Sequence, residues 1–265
     1  LGLALMLMGC WPAEVGVTTT FNADGSGERT IVIDIMDDTL SDEPIVNPDD
    51  PDQDEGKGAV INNKHITGGL PEIQTWLEDN APDFITVEDS YIEGYHRYFV
   101  MSYTWDDFDD FIEKYQTVVN LSPNLSWDDF DEDELPKLET SGLYNRELKF
   151  SESRAVVEAS LDWAVDGIWN DIYDEADLAG YVTKADISVL AGYKVVINDS
   201  EMEKEAAYDP NAQDGDDGTG AVVFVEDETF EASGEFTRTG MIVGTIVVGV
   251  LLVGGAVFAV LKFKK

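Results

Sequence analysis

The chain has 265 residues, of which 55 are acidic and 16 basic, so its formal net charge is −39 at pH 7. Such a surface repels the phosphate backbone of nucleic acids, which excludes nucleic-acid binding. The length suffices for one sizeable hydrophobic core or two small ones. There is one cysteine, so no disulfide can form within the chain, which is typical of bacterial or archaeal rather than animal surface proteins.

That single cysteine, Cys10, directly follows the apolar run Leu1–Gly9. An aliphatic residue, Leu7, stands three positions before it and a small residue immediately before it, which is the pattern of a bacterial lipobox. A lipobox predicts that residues 1–9 are the end of a signal peptide that is removed. It also predicts a covalent diacylglycerol on the thiol of Cys10. The alternative is a buried free cysteine, which packs as a small hydrophobe.

A β-hairpin is predicted directly after the cysteine. Apolar residues alternate with others from 15 to 21 and again from 28 to 35, and Asn22–Gly27 between them has the Asp-Gly chemistry of a tight turn. An acidic loop is predicted near 37–58. A short helix over Leu70–Asn80 then follows, with a proline in its first turn.

The middle of the chain predicts two strands and the clearest helix. The strands are Phe84–Glu88 and Tyr95–Thr104, and the helix runs from about 106 to 119 with acidic residues in its first turn and an apolar stripe at helical spacing. The motif Trp-Asp-Asp-Phe-Asp begins at Trp105 and occurs again from Trp127. We interpret both as helix starts; the alternative is a duplicated partner-binding motif.

The second half predicts a strand pair over Lys137–Phe150 and a long helix. Either Ser151 or Ser153 caps this helix, which ends near Asp174. A strand over Asp186–Asn198 comes next. The apolar residues predicted to alternate on its inward face are Ile187, Val189, Ala191, Tyr193, Val195 and Ile197.

A second acidic loop is predicted near 199–219, and a last β segment comprises Gly220–Glu226 and Thr229–Arg238. The predicted fold class is therefore α+β: an antiparallel sheet with two or three helices packed on one face, plus one C-terminal transmembrane helix.

The transmembrane helix is predicted over Met241–Leu261, which contains no charged residue. As a helix it would be about 30 Å long, the thickness of the hydrocarbon core of a bilayer. The lysines of the tail at 262–265 predict a cytoplasmic C-terminus and a domain outside the cell membrane. Gly240 and Gly244 form a GxxxG pair, a candidate helix-packing face.

The chain is thus divided into three parts. Residues 1–9 are the end of the signal peptide, 10–236 form an extracytoplasmic α+β domain with the two acidic loops, and 237–265 are the transmembrane helix with its basic tail.

The sequence shows no catalytic constellation and no metal motif. His65 and His96 lack a patterned ligand partner, and neither acidic loop has the glycine and glutamate spacing of an EF-hand. We therefore predict no catalytic residue, no metal and no cofactor other than the diacylglycerol. A cell-wall glycoside hydrolase is a weaker alternative, since no one carboxylate pair is selected as its acid and base.

Tryptophans on the predicted helices suggest an apolar pocket for an acyl chain or glycolipid. The alternative interpretation is ordinary core packing. The candidate lining residues are Trp76, Val157, Leu161, Trp163 and Trp169.

The order of these features resembles a known family. A lipobox cysteine, a hairpin with a glycine-rich turn, a strand ending in Phe99–Trp105, an acidic helix start over Asp106–Phe111, and a C-terminal span with a basic tail together resemble the LppM-like lipoproteins of mycobacteria and relatives, and similar cyanobacterial proteins. The resemblance implies an α+β ectodomain similar to lipid-binding folds. In the mycobacterial member the implied ligands are mannosylated phosphatidylinositol lipids. The strong acidity of this chain departs from that pattern.

Two functional hypotheses follow. The first is a non-enzymatic, membrane-anchored envelope lipoprotein that binds a lipid or glycolipid, and it predicts an apolar cavity between the long helix and the sheet. The second is an acidic interaction subunit of a membrane complex that docks a basic protein partner. It predicts a filled core and an exposed apolar or acidic patch.

Overall fold

The computed structural model describes residues 13–36, 69–94, 96–142, 145–172, 190–205, 207–214, 219–223 and 229–237. Cys10, His65, the first acidic loop, the GxxxG pair of Gly240 and Gly244, and the predicted span lie outside these ranges. Within them, no helix is both long enough and apolar enough to cross a membrane.

The described chain has the predicted α+β class. Its helices are α1 (Pro71–Asn80), α2 (Phe108–Val119) and α3 (Arg154–Ile172). Its strands are β1 (Ala13–Phe21), β2 (Gly27–Met36), β3 (Thr86–Val87), β4 (Tyr91–Glu93), β5 (His96–Trp105), β6 (Lys137–Ser141), β7 (Asn145–Ser153), β8 (Leu190–Ile197), β9 (Ser200–Glu205), β10 (Ala207–Asp214), β11 (Thr219–Val223) and β12 (Thr229–Thr237).

The main sheet has the strand order β3-β5-β2-β1-β8-β9, with β4 beside β5. It is mixed, because β1 and β8 pair in parallel while its other neighbours are antiparallel. The prediction of a wholly antiparallel sheet was therefore wrong at this pair. A parallel neighbour requires a long crossover, and the chain between β1 and β8 includes all three helices.

The β1–β2 hairpin is confirmed. Its inward side chains alternate as predicted, with Val15, Val17 and Phe21 at most 2% exposed. The turn closes through the backbone N–H of Asn22, which donates to the carbonyl of Ser26 at 2.8 Å. Gly25 has φ +95°, a conformation that side chains other than glycine rarely adopt.

The three helices pack on the inward face of the main sheet in one hydrophobic cluster. The side chain of Asp107 caps α2 by accepting from the N–H of Asp110 at 3.0 Å. For α3 the cap is Ser153, whose hydroxyl accepts from the N–H of Val156 at 3.2 Å. These contacts confirm the predicted acidic start of α2 and select Ser153 over Ser151.

The second Trp-Asp-Asp-Phe motif also starts a helix, but only one turn of 3-10 helix, Trp127–Asp129. Ser126 and Asp129 form a reciprocal capping box at its start, and Phe130 is already extended. The first motif differs because Trp105 ends β5 and α2 continues for three turns. The interpretation as two helix starts is confirmed.

A second sheet, with the order β12-β7-β6, contributes Leu148, Phe150 and Phe230 to the same hydrophobic core. Phe230 of β12 stacks on Tyr193 of β8 with ring centroids 3.9 Å apart. The predicted strand pair over Lys137–Phe150 is confirmed as β6 and β7, and the predicted Thr229–Arg238 strand as β12.

Two predictions near β8 were wrong. The segment 199–219, predicted as a loop, contains β9 and β10. Strand β9 is an edge strand rich in charged residues, a composition that predicts a loop.

The alternation in β8 also breaks at its start: Leu190 is buried, whereas Ala191 was predicted to face the core. The register with β1 shifts there, which moves Leu190 to the inward face.

The close contact between the two sheets yields a stability prediction. A Cβ atom at Gly234 of β12 would overlap the backbone carbonyl oxygen of Ile197, whereas one at Gly16 of β1 meets nothing within 4 Å. We expect Gly234→Ala to lower the free energy of unfolding by about 1–3 kcal/mol, because it overpacks this contact. Urea unfolding of the full chain in detergent measures the change. Gly16→Ala is the matched control, and equal losses in both variants would contradict the proposed sheet contact.

Candidate functional site

A cluster of buried polar and charged side chains lies in the core, between the two sheets. Arg29 of β2 and Glu152 of β7 form an ion pair, and each residue is 1% exposed. The Nε of Arg29 donates to the Thr19 hydroxyl at 2.9 Å, and the hydroxyl of Tyr193 donates to Glu152. The pair therefore bonds the main sheet to the second sheet.

Aromatic rings enclose the charge. The guanidinium of Arg29 lies 4.5 Å from the ring centroid of Tyr115 and 5.1 Å from that of Phe111. Burial raises the pKa of Tyr115 and of Tyr193 well above the usual range, and the charge of Glu152 adds to this effect. Both tyrosines therefore stay neutral at physiological pH, and the hydroxyl of Tyr193 donates to Glu152.

Burial is the largest single influence on the pKa of Arg29 and lowers it, but the charge of Glu152 and the surrounding tyrosines together raise it by more, so the net shift is upward. Arg29 Nη1 and Glu152 Oε2 are buried without a hydrogen-bond partner. The Tyr115 hydroxyl is close enough to Glu152 for the carboxylate charge to raise its pKa, but it forms no hydrogen bond of normal geometry. Because both charged side chains are almost fully enclosed, a substrate has no access to them, and we assign the cluster a structural role.

The predicted lipid-pocket residues lie along α3 and on α1. Val157, Leu161 and Trp163 are buried, and Trp76 of α1 stacks on Trp163 with centroids 6.0 Å apart. Trp76 Nε1 also donates to Asp171 at 3.0 Å. Trp169 belongs to α3, but its side chain is outside the described part of the structure.

The space between α3 and the main sheet is closed. It has no room for a water molecule. Leu161 and Trp163 line it, whereas Val157 and Trp76 do not. Its lining residues are Val15, Ile31, Ile33, Met101, Leu161, Trp163, Ala164 and Val165.

The opposite side of the main sheet presents a flat surface, which we call the open face. Ideal Cβ atoms at Gly16 and Gly192, which pair across β1 and β8, meet nothing within 4 Å. Apart from Val100, its members are half-buried or exposed. We define the open face by the three cross-strand rows Gly192-Gly16-Val32-Val100, Lys194-Thr18-Thr30-Ser102 and Val196-Thr20-Glu28-Thr104.

Titratable and aromatic residues border the open face at the end where β1 begins. His96 Nδ1 lies 2.7 Å from Asp34 Oδ1, with both side chains about one quarter exposed (28% and 24%). Tyr98 stacks on Tyr91 of β4 at 4.9 Å and on His96 at 6.2 Å. The sequence reasoning missed the His96–Asp34 contact because these residues are 62 positions apart, and only the β2–β5 register makes them neighbours.

Partial desolvation raises the pKa of Asp34 and of the nearby Glu14, and repulsion by Asp34 raises that of Glu14 further. The folded domain therefore binds protons at these carboxyls more tightly than the unfolded chain does. Linkage then requires that the free energy of unfolding falls as pH rises from their ordinary values, 4.5 for Glu14 and 3.8 for Asp34, through the raised values.

We expect Glu14→Gln to remove part of this fall in stability between about pH 4.5 and neutral pH. Urea midpoints of the full chain in detergent, measured across that range, test it. Glu113→Gln, at an exposed position of α2, controls for the general reduction of negative charge. If both variants change the pH profile equally, desolvation at Glu14 is not the cause.

In the part of the chain that the structure describes, large apolar side chains are exposed in two places. Tyr91 and Ile92 of β4 are 49% and 47% exposed, and Leu121 and Leu125 after α2 are 46% and 40% exposed. These residues are candidate contact points for another molecule.

Among the described residues, no group of three or more histidine, cysteine, aspartate or glutamate side chains is placed to hold a metal ion. No protein-family model, curated protein or solved structure matches the chain.

Proposed function

We propose that this chain is a non-enzymatic envelope protein, anchored outside the cell membrane by a diacylglycerol on Cys10 and by the C-terminal span. Its domain acts as an interaction subunit: it contacts a protein partner with a basic surface and does not enclose a lipid. This is the second of the two hypotheses that the sequence raised.

The observation that carries the proposal is the filled space beneath α3. A pocket for an acyl chain needs several hundred cubic ångströms, and the space between α3 and the main sheet does not admit one water molecule. Leu161 and Trp163, which would line such a pocket, occupy it themselves.

Charge and exposure favour a protein partner. The net charge of −39 attracts basic surfaces and accelerates their encounter. The exposed side chains of Tyr91 and Ile92 belong to an ordered strand that pairs with β5, so they present apolar area on a rigid support.

A photo-crosslinking residue in place of Ile92 tests the proposal in native membranes. The expected result is a discrete protein adduct that weakens as salt concentration rises, because salt screens the attraction between charged surfaces. The same residue in place of Thr117, exposed on α2, is the matched control. Adducts to lipid alone at Ile92, or identical protein adducts at both positions, would contradict a specific protein interface.

A further inference from the structure

The loop that follows α2 leaves large apolar side chains in water. Residues 120–126 have the sequence Asn-Leu-Ser-Pro-Asn-Leu-Ser, in which Asn-Leu-Ser occurs twice. Leu121 and Leu125 are 46% and 40% exposed, and they are two of the four large apolar residues that are exposed in the described part of the chain. We call residues 120–126 the leucine loop.

The polar side chains in the middle of the leucine loop bond to α3. The Ser122 hydroxyl donates to Asp162 at 2.9 Å. Asn124 Nδ2 donates to Asp166, about one helical turn further along α3, at 3.0 Å. The backbone N–H of Leu125 also donates to the Ser122 hydroxyl, at 3.2 Å. The loop is therefore attached to the helix through its polar residues.

The two ends of the leucine loop are held in the same way. Asn120 Oδ1 accepts from the backbone N–H of Trp127 at 2.8 Å, and Trp127 itself is buried. The Ser126 hydroxyl donates to Asp129 at 2.9 Å as part of the capping box. The hydrogen bonds at both ends and in the middle give Leu121 and Leu125 a fixed support.

This arrangement reverses the usual polarity of a surface loop. The asparagines and serines of the leucine loop spend their hydrogen bonds on the domain, while the leucines between them remain in contact with water. The isolated domain thereby forgoes the stabilisation that burial of the two leucines would give. Apolar side chains displayed on an ordered support are typical of a surface that another molecule covers.

Charge selects the kind of molecule. Residues 127–134, which follow the loop directly, contain six acidic residues and no basic one. The basic residues of the three helices, Lys114 and Arg154, pair with Asp110 and Glu158 of their own helices. Carboxylates repel anionic headgroups and a second copy of this acidic chain, whereas they attract a basic protein surface.

We infer that the leucine loop is a docking site for a basic protein, with Leu121 and Leu125 inserted into an apolar hollow on that protein. Lysine or arginine side chains around the hollow pair with the acidic residues at 127–134. The inference rests on the proposed function and adds a contact surface to the exposed residues of β4. An apolar centre with a charged rim is the usual anatomy of a protein interface.

Photo-crosslinking residues in place of Leu121 and of Leu125, in the full chain in native membranes, test the site. We expect both positions to give the same discrete protein adduct. Tandem mass spectrometry of the adduct should place the crosslink at an apolar residue that lysines or arginines flank on the partner. The same residue in place of Thr75, exposed on α1, is the control and should give no such adduct.

Paired variants test the charged rim. Asp128→Asn combined with Asp131→Asn should lower the adduct yield at Leu125 by about threefold to tenfold, because rim charges steer association. Asp79→Asn combined with Asp83→Asn removes the same charge from exposed positions in and after α1 and should change the yield little. Equal losses from both pairs would show that only the net charge matters, which would overturn the docking site.

The crosslinking outcomes separate this inference from the proposed function. Adducts at Leu121 and Leu125 to lipid or to a second copy of the chain, or no adduct there, would overturn the inference. A salt-sensitive protein adduct at Ile92 would in each case leave the proposed function standing. No protein adduct at any of the three positions would overturn both. Tryptophan fluorescence of each variant verifies that it is folded.

Discussion

Replacing Glu152 with glutamine is expected to lower the free energy of unfolding by about 3–5 kcal/mol, because it leaves the Arg29 guanidinium charged and uncompensated in the core. Both residues are 1% exposed, so water cannot take the place of the lost carboxylate without opening the contact between the sheets. Urea unfolding of the full chain in detergent, followed by tryptophan fluorescence, measures the loss.

The matched double variant separates charge from packing. Combining Arg29→Met with Glu152→Leu removes both charges while keeping apolar volume, and it should recover most of the stability lost in Glu152→Gln. A single variant that costs less than about 1 kcal/mol, the range of exposed pairs, would show that the pair is accessible to water.

A second large effect is expected from Leu161→Ala. Leu161 is 2% exposed and lines the closed space beneath α3, so its truncation should create a cavity and cost about 2–5 kcal/mol. Leu125→Ala, at a side chain that is 40% exposed, is the matched control and should cost well under 1 kcal/mol.

The same pair of variants distinguishes a filled core from a lipid-filled one. If an acyl chain packed beside Leu161 in the native protein, it could expand into the space that alanine leaves. Leu161→Ala would then cost little more than Leu125→Ala, and the loss would depend on whether lipid had been removed.

The spacing of apolar residues predicted those helices and strands that bury an unbroken row of apolar side chains. The β1–β2 hairpin, α2 and α3 all bury a regular stripe, so local sequence was sufficient for their type and approximate ends. The parallel pairing of β1 with β8 was not predictable in this way, since it depends on how the intervening helices return the chain to the sheet. Strand β9 was missed because Met202 is the one residue among its described side chains that packs on the core.

The sequence analysis also missed the buried ion pair, although the alternation of each strand places its charged residue on the inward face. Arg29 shares an inward position with Ile31 and Ile33, and Glu152 shares one with Leu148 and Phe150. A charged residue at an inward position of an otherwise apolar strand predicts a buried partner. The sequence alone could not identify that partner, because Arg29 and Glu152 are 123 positions apart and belong to different sheets.

The pair has a consequence for function. It joins the sheet that carries β1 to the sheet that carries β12, the two strands that lead toward the predicted anchors. In the proposed topology the membrane holds the domain at both ends, so any pull between the two anchors would act across this contact. A bonded, fully enclosed ion pair fixes the relative position of the two sheets and resists such a pull.

Native mass spectrometry of the full chain, extracted from membranes in mild detergent, tests the central claim most directly. The claim is that the domain is anchored through Cys10 and closed to lipid. The account predicts a mature chain that begins at Cys10, carries a covalent diacylglycerol and releases no stoichiometric non-covalent lipid on activation. An unmodified Cys10, or one lipid per chain that dissociates on activation, would contradict it.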